Sequence, residues 1–444
     1  MKPIAAPPGS AVAPTSTSAT SGALGLTHDL GTFAAVVVVG VVAAVVAHAF
    51  RETVFAVGRA LTGNDGSIAA SEALGPAATF LLVAGGVGVA AWIGAASRRR
   101  HGRRVGLRAI AAAARDERPD PSAAGTAMRM GGTWVATSSL ASLGRESAIL
   151  EAGGTCGNLV GSAMRRPTHR LAVAGIASAF AVAYHAPVAA VLYVEEHLGV
   201  RHDRRTVAHA VAGSAIGFFV GQRLLGSGPI FPRAIDPLSR DAIVLAAVGV
   251  LPAFIASRVF VEVRERMEHG LHSTHHGWMR SLVLAAVAGA VVALVPMAAG
   301  NGMEAVRASA TTATAGVAVA LVLWKLIATS AVVGAGAPGG VMSPSLAVAA
   351  GAALATFLAL DAAGWRLGGS RWDGMLVAMA IGVAVSIRSP LVAVVMVAEM
   401  TGDVRVLPMS AFVVAVAVLL DRAVERRLPA ARRTAHERVH DDDA

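Results

Sequence analysis

The chain has 444 residues, 55% of them hydrophobic and 15% charged, with a formal net charge of +10. A soluble domain carries roughly 25% charge, so this composition excludes a soluble enzyme and indicates a polytopic membrane protein. Cys156 is the single cysteine, which excludes internal disulfides and a thiolate metal site.

In chain order, residues 1–28 are rich in Pro, Ser, Thr and Ala and read as a disordered tail. They lack the basic start and apolar core of a signal peptide. Apolar runs of membrane-spanning length follow near 31–50, 74–97, 207–222, 241–260, 281–299, 312–333, 345–362, 375–400 and 405–420. Three more, near 127–143, 147–164 and 171–195, are shorter or broken by Gly and Pro. Broken spans are tolerated only where backbone is buried in protein or lines a cavity. The membrane region is expected over 29–433, and the polar tail 434–444 leaves no room for a soluble regulatory domain.

The basic residues gather between the apolar runs, in the segment Arg98 to Arg104, at Arg165-Arg166, and in the segments Arg201 to Arg205 and Arg422 to Arg433. The positive-inside rule accounts for them without a nucleic-acid partner. It places these loops in the cytoplasm and the chain in the cell membrane, with the lipid bilayer as its surroundings.

The chain repeats itself weakly. Ala186 to Gly199 aligns with Ser389 to Gly402, matching Pro187 to Pro390 and Glu196 to Glu399. Ser147 to Gly153 pairs with Ser345 to Gly351 at nearly the same offset. Chance similarity among Ala/Val-rich helices is the alternative, and two pairs in register weigh against it. Such repeats imply halves of about 29–228 and 238–422, with a site at their interface near the midplane.

Glu146 is the most informative residue. It lies within Gly144-Arg145-Glu146-Ser147-Ala148, where an ionisable group in hydrocarbon is costly and faces a water-filled path or a partner. It also opens a helix, whose free N–H groups and dipole hold anions. A carboxylate there competes with the anion and carries protons.

The segment Gly334 to Ser345 cannot be a continuous helix, because Pro338 breaks it and its glycines permit other dihedrals. Pro344 suits a first helical turn, with Ser343 before it as N-cap. An extended backbone leading into a helix N-terminus would cradle a dehydrated anion; a simple loop between spans is the alternative. His101-Gly102, before a helix expected over Val105–Ala113, reads either as a further N-terminus at the cytoplasmic mouth or as a solvated basic loop. Glu195 and Glu196 end the helix from Pro187 and point about 100° apart, so one is interfacial or a proton relay. Glu151 and Glu399 are expected to hydrogen-bond at helix ends. No metal, nucleotide or nucleophile motif stands out, and no cofactor is expected.

Together, Gly144-Arg145-Glu146, Gly300-Asn301-Gly302-Met303-Glu304-Ala305, Lys325-Leu326-Ile327-Ala328-Thr329-Ser330, Gly339-Gly340-Val341-Met342-Ser343-Pro344 and Glu399-Met400-Thr401-Gly402 resemble signature segments of the CLC chloride channels and chloride/proton exchangers. The resemblance covers roughly residues 30–430. It implies an all-α fold of two inverted-topology halves with many tilted and broken helices, and a homodimer with one anion pathway per subunit. It implies that Glu146 is the gating glutamate and Glu196 the inner proton-transfer glutamate. The backbone of Val341 and Met342 would contact the central anion, with Gly144, Arg145, Gly340 and Ser343 around it and His101-Gly102 at the inner mouth.

Four departures stand out. Ser147-Ala148 replaces Gly-Pro, Met342 replaces Phe, and Arg103-Arg104 replaces Ile/Val-Pro. The C-terminal tyrosine has no counterpart near Leu428-Pro429, since Tyr184 and Tyr193 are the only tyrosines. The expected function is exchange of chloride or a similar anion for protons. A passive chloride channel, a fluoride-type exporter and a non-transporting membrane subunit are the alternatives.

Overall fold

The computed structural model describes residues 18–115, 121–200, 203–231, 239–269, 277–312, 314–365 and 367–427. Sixteen α-helices make up the described fold. The first eight are α1 (Ser18–Thr62), α2 (Ser67–His101), α3 (Leu107–Ala114), α4 (Ala123–Ser138), α5 (Glu146–Met164), α6 (Thr168–Tyr184), α7 (Pro187–Leu192) and α8 (Arg204–Leu225). The second eight are α9 (Arg240–His269), α10 (Gly277–Leu294), α11 (Met303–Thr312), α12 (Ala315–Gly334), α13 (Met342–Ala362), α14 (Arg371–Ser386), α15 (Pro390–Thr401) and α16 (Leu407–Arg427). Seven spans among the described residues are long and apolar enough to cross a membrane, so the protein is integral and multi-pass.

Local chemistry sets the breaks. The run 375–400 is two helices rather than one: Arg388 adopts φ 52° and Pro390 opens α15 at its first turn. The run 171–195 divides the same way at His185 (φ 51°) and Pro187. Pro at the first helical position loses no hydrogen bond, because that N–H has no helical acceptor. The tail boundary at residue 28 is also corrected, since α1 already begins at Ser18. The tail's prolines end at Pro14, so nothing upstream of the apolar run forbids helix.

Two reciprocal contacts relate the halves. The Gly144 N–H donates to the Gly340 carbonyl (2.8 Å) and the Gly340 N–H donates back to Gly144 (2.7 Å). Glu399 accepts the first amides of α7, from Val188 and Ala189 (2.8 Å each). Glu196 accepts the equivalent amides of α15, from Leu391 (3.1 Å) and Val392 (2.9 Å). Contacts in which i meets j′ and j meets i′ define a twofold relation. The Gly pair also corrects one register: Ser147 is equivalent to Ser343, so the pairing of Ser147 with Ser345 is two residues off. Ala/Val-rich helices carry too little side-chain identity to fix such a slip.

The topology is inverted. Arg170, in the first turn of α6, lies 3.7 Å from Asp203, whereas the carbonyl of Ile387, just past α14, accepts from His197 Nδ1 at 3.0 Å. Arg115 donates to the Leu198 carbonyl (2.7 Å) and Arg388 pairs with Glu425 (2.5 Å). These contacts gather the basic segments at one end of the molecule. Helix α6 leaves that end and its counterpart α14 arrives there. Close packing holds each pair: α5 crosses α6 at Gly153 and Gly175, where a Cβ on either would collide with the other's carbonyl. Small residues at a crossing let helix backbones approach in this way.

At the basic end, Asp203 caps α8, accepting from the Arg205 and Thr206 amides (2.7 and 3.1 Å) and the Thr206 hydroxyl (2.5 Å). The Thr206 hydroxyl foremost, with those amides and Arg170, holds its carboxyl down to about 2. The cap is therefore fully present above the ordinary carboxylate pKa of about 3.9 and lost as pH falls through the folded value. Asp203→Ala is expected to cost about 1 kcal/mol at neutral pH, the usual magnitude for a lost N-cap. Thermal melts at pH 7 and pH 2 check this, since the variant's deficit should shrink at the lower pH.

Candidate functional site

Glu146 is the first residue of α5, and its side chain is 5% exposed. Its Oε1 accepts from Ser343 Oγ (2.6 Å) and from Asn301 Nδ2 (3.3 Å), while the buried Oε2 has no partner among the described residues. The Ser343 proton is committed to Glu146, so Tyr184 Oη, 3.3 Å from Ser343 Oγ, is the donor in that contact. The N–H groups of Glu146, Ser147 and Ala148 on α5, and of Val341, Met342 and Ser343 at the start of α13, find no acceptor among the described residues. Two helix N-termini thus converge on one carboxylate. It stands where a dehydrated anion would be held by N–H donors and positive dipole ends.

The surrounding backbone is fixed from several sides. The Gly144–Gly340 bridge joins the two segments, and Thr133 Oγ1 donates to the Pro338 carbonyl (2.9 Å). Lys325 is fully buried and donates to the carbonyls of Ala298 (3.0 Å), Ala299 (3.2 Å) and Gly300 (2.5 Å). Its ammonium braces the turn that presents Asn301 to Glu146. A Cβ on Gly144 would lie 2.8 Å from the Gly340 oxygen and collide with Glu146 Oε2. Gly144→Ala is therefore expected to expel the carboxylate from its seat. A structure of the variant should show the Glu146 side chain displaced from between α5 and α13.

Glu146 forms the floor of a cavity of about 300 Å³. Arg51, Phe55, Arg145, Tyr184, His185, Asn301 and Arg307 contribute to its walls. Leu225, the last residue of α8, and Tyr184, the last of α6, also line it. Both helices start at the basic end, so this vestibule opens at the opposite face.

The expected site residues divide into three groups. Gly144, Arg145, Glu146, Gly340, Val341, Met342 and Ser343 come together as described. His101 and Gly102 open only a single 3-10 turn, Gly102–Arg104, and not an α-helix, which corrects that expectation. His101 ends α2 with Nδ1 2.9 Å from Ser122 Oγ, and the Gly102 N–H donates to the Arg98 carbonyl as a C-cap. The following helix starts at Leu107 rather than Val105, after Gly106 at φ 91°. Glycine tolerates that dihedral where the basic residues before it do not. Glu196 is engaged as the cap of α15, and Glu399 caps α7 as its counterpart. The region around Leu428-Pro429 lies outside the described residues.

Tyr184, Lys325 and Arg129 belong to the site's framework although sequence reasoning assigned them no role. Lys325 was detectable as the only lysine in an apolar run. Arg129 grips Glu151 with two parallel hydrogen bonds of 2.9 Å, so Glu151 is half of a buried ion pair rather than a helix-end acceptor. The guanidinium also lies beside Gly106, at the start of α3. Nothing in the sequence joins Tyr184 to Ser343; only the meeting of the last residue of α6 with the first turn of α13 does.

Comparison with known proteins agrees with this arrangement. The H(+)/Cl(-) exchange transporter ClcA of Cronobacter sakazakii is 28% identical over 293 residues, covering 60% of each chain. ClcA of Yersinia pestis is 27% identical, covering 60% of this chain and 59% of its own. The match thus spans about 60% of the length of these relatives. A slow cyanobacterial Cl-/H+ antiporter has the same fold, with a TM-score of 0.73 at 18% identity, covering 89% of this chain and 99% of its own. A CLC-type fluoride/proton antiporter superposes with a TM-score of 0.69 at 18% identity, covering 88% and 94%. Residues 85–422 match the profile of the voltage gated chloride channel family, and the chain belongs to that family.

Proposed function

We propose that this chain exchanges chloride, or a similar small anion, for protons across a membrane. The observation that carries the reading is Glu146 seated between the N-termini of α5 and α13. A charged carboxylate occupies the anion position. Once protonated it loses its attraction to the dipole ends and yields the position to an anion. One group then alternates between blocking the anion and carrying the proton. The exchange activity named for the ClcA relatives supports the same assignment.

Protons would reach Glu146 from the basic end. Ser343 and Tyr184 continue inward from its carboxylate, and Tyr184 stacks on Phe180 at 5.0 Å. Phe180, which carries no exchangeable proton, packs on Tyr193 at 4.8 Å, and Tyr193 on His197 at 4.8 Å, beside Glu195-Glu196, so water must relay the proton past these rings. In this reading Glu196 is the inner proton carrier, and protonating it weakens its hold on α15. That hold also favours a second reading, a passive anion channel, because a carboxylate fixed by two amides is poorly placed to shuttle protons. We propose a homodimer as the working unit; exposed Val211 and Phe219 on α8 and Phe412 and Leu419 on α16 supply apolar surface for it.

The test uses purified protein in liposomes with an outward chloride gradient and the voltage clamped by valinomycin. Proton uptake against its own gradient supports exchange. Chloride flux without proton movement selects the channel, and fluoride in place of chloride tests the variant named by one fold relative.

A further inference from the structure

We infer that the vestibule above Glu146 is a second anion site, built for a polyatomic oxyanion such as sulfate, phosphate or a carboxylate, whose occupancy closes the pathway from that face. Arg51, Arg145 and Arg307 all line this one cavity, with His185 among its walls. Glu146 is the sole acid in the lining, and its Oε1 is already taken by Ser343 and Asn301. Among the described residues none of the three arginines forms an ion pair with a carboxylate. Glu52 and Glu304 lie close enough to act on Arg145 and Arg307 through space, and Glu304 is bonded to the Ile68 amide (3.3 Å).

What holds the arginines leaves donors unused. Arg51 and Arg145 lie against the same Phe55 ring, 5.3 and 5.0 Å from its centroid. Such contacts orient a guanidinium without consuming its N–H groups. The Arg51 Nε is buried with no partner among the described residues. Arg307 is fixed by Nε and Nη2 on the Ile230 carbonyl (3.1 and 2.6 Å) and by the Phe231 ring (5.5 Å). Its Nη1 has no partner among the described residues.

Size and shape select the ligand class. A cavity of about 300 Å³ far exceeds a monatomic halide. Planar guanidinium forks match anions with several oxygens, which they bind through parallel hydrogen bonds, whereas a sphere gains nothing from the fork. Three cations sharing one enclosed space repel each other, and a doubly charged oxyanion relieves that repulsion. The site stands in series with Glu146, so a bound oxyanion blocks the mouth and neutralises the field that draws small anions in.

The effect on flux rests on the transport reading above; binding does not. Purified full-length protein in detergent is titrated calorimetrically with sodium sulfate and with sodium phosphate at constant chloride. One oxyanion per chain is expected, with affinity falling at least tenfold in Arg51→Lys and in Arg307→Lys, because each keeps its charge and loses its fork. Arg51→Gln, monodisperse on size exclusion, should bind still more weakly. In vesicles, sulfate on the vestibule side should slow wild-type chloride flux and leave Arg51→Lys unaffected. No binding by the wild type, or binding by both lysine variants as tight as the wild type's, overturns the site. Binding that leaves an active chloride flux unchanged overturns its inhibitory role. Binding without any chloride flux sinks the transport reading and leaves the site standing.

Discussion

Glu146→Gln is expected to reduce chloride-driven proton movement to the background of protein-free vesicles while chloride flux continues. Glutamine keeps the volume of the side chain and can still accept from Ser343 Oγ, which bonds Glu146 at 2.6 Å. It cannot titrate, and it carries no charge to hold against the N-termini of α5 and α13. Both halves of the mechanism are lost together: the proton carrier and the competitor for the anion. Ser343→Ala separates them. It keeps the carboxylate and removes one hydrogen bond to a charged group, worth about 1.5–3 kcal/mol. At 1.4 kcal/mol per tenfold, the carboxylate's hold on the anion position should weaken by roughly ten- to a hundredfold. Chloride should then compete at lower concentration, with protons still coupled. Proton coupling that survives Glu146→Gln would remove this residue from the mechanism.

The difference between these two substitutions bears on what sequence could foresee. Glu146 is legible because an acid in a nonpolar segment is expensive, and Pro344 marks the start of α13 by chemistry that needs no neighbour. The match of Glu196 to Glu399 was also visible as a repeat. Its meaning was not, because two carboxylates that cap each other's helix are neighbours only across the pseudo-twofold axis. The reverse error occurred at His101-Gly102. A glycine after a basic run reads equally well as the end of one helix or the start of another, and the Gly102 N–H bond to Arg98 decides for the end. Tyr184 marks the limit of sequence reading. Its phenol reaches Ser343 from a helix whose residues are almost all small and apolar, so neither period nor spacing sets it apart.

The buried pair Arg129–Glu151 should show that a strong contact is not always a stabilising one. The two side chains are 16% and 2% exposed and share two bonds of 2.9 Å. Removing a pair's charge from one side leaves the other desolvated and unpaired, which typically costs about 3–5 kcal/mol. Arg129→Met should therefore sharply lower the melting temperature in detergent, and Glu151→Met should do likewise. Replacing both together is expected to restore most of the loss, since a well-packed apolar substitute for a buried pair is commonly neutral or better. A cycle of the four proteins measures the coupling directly. If the double variant melts as low as either single one, the pair is a structural requirement of the α4–α5 crossing. If it recovers, stability does not explain the pair's presence. Its position then does: the guanidinium lies against Gly106 at the start of α3, where a fixed charge would act on an anion arriving from the basic end. The recovered double variant should accordingly fold as before, yet carry chloride more slowly than the parent.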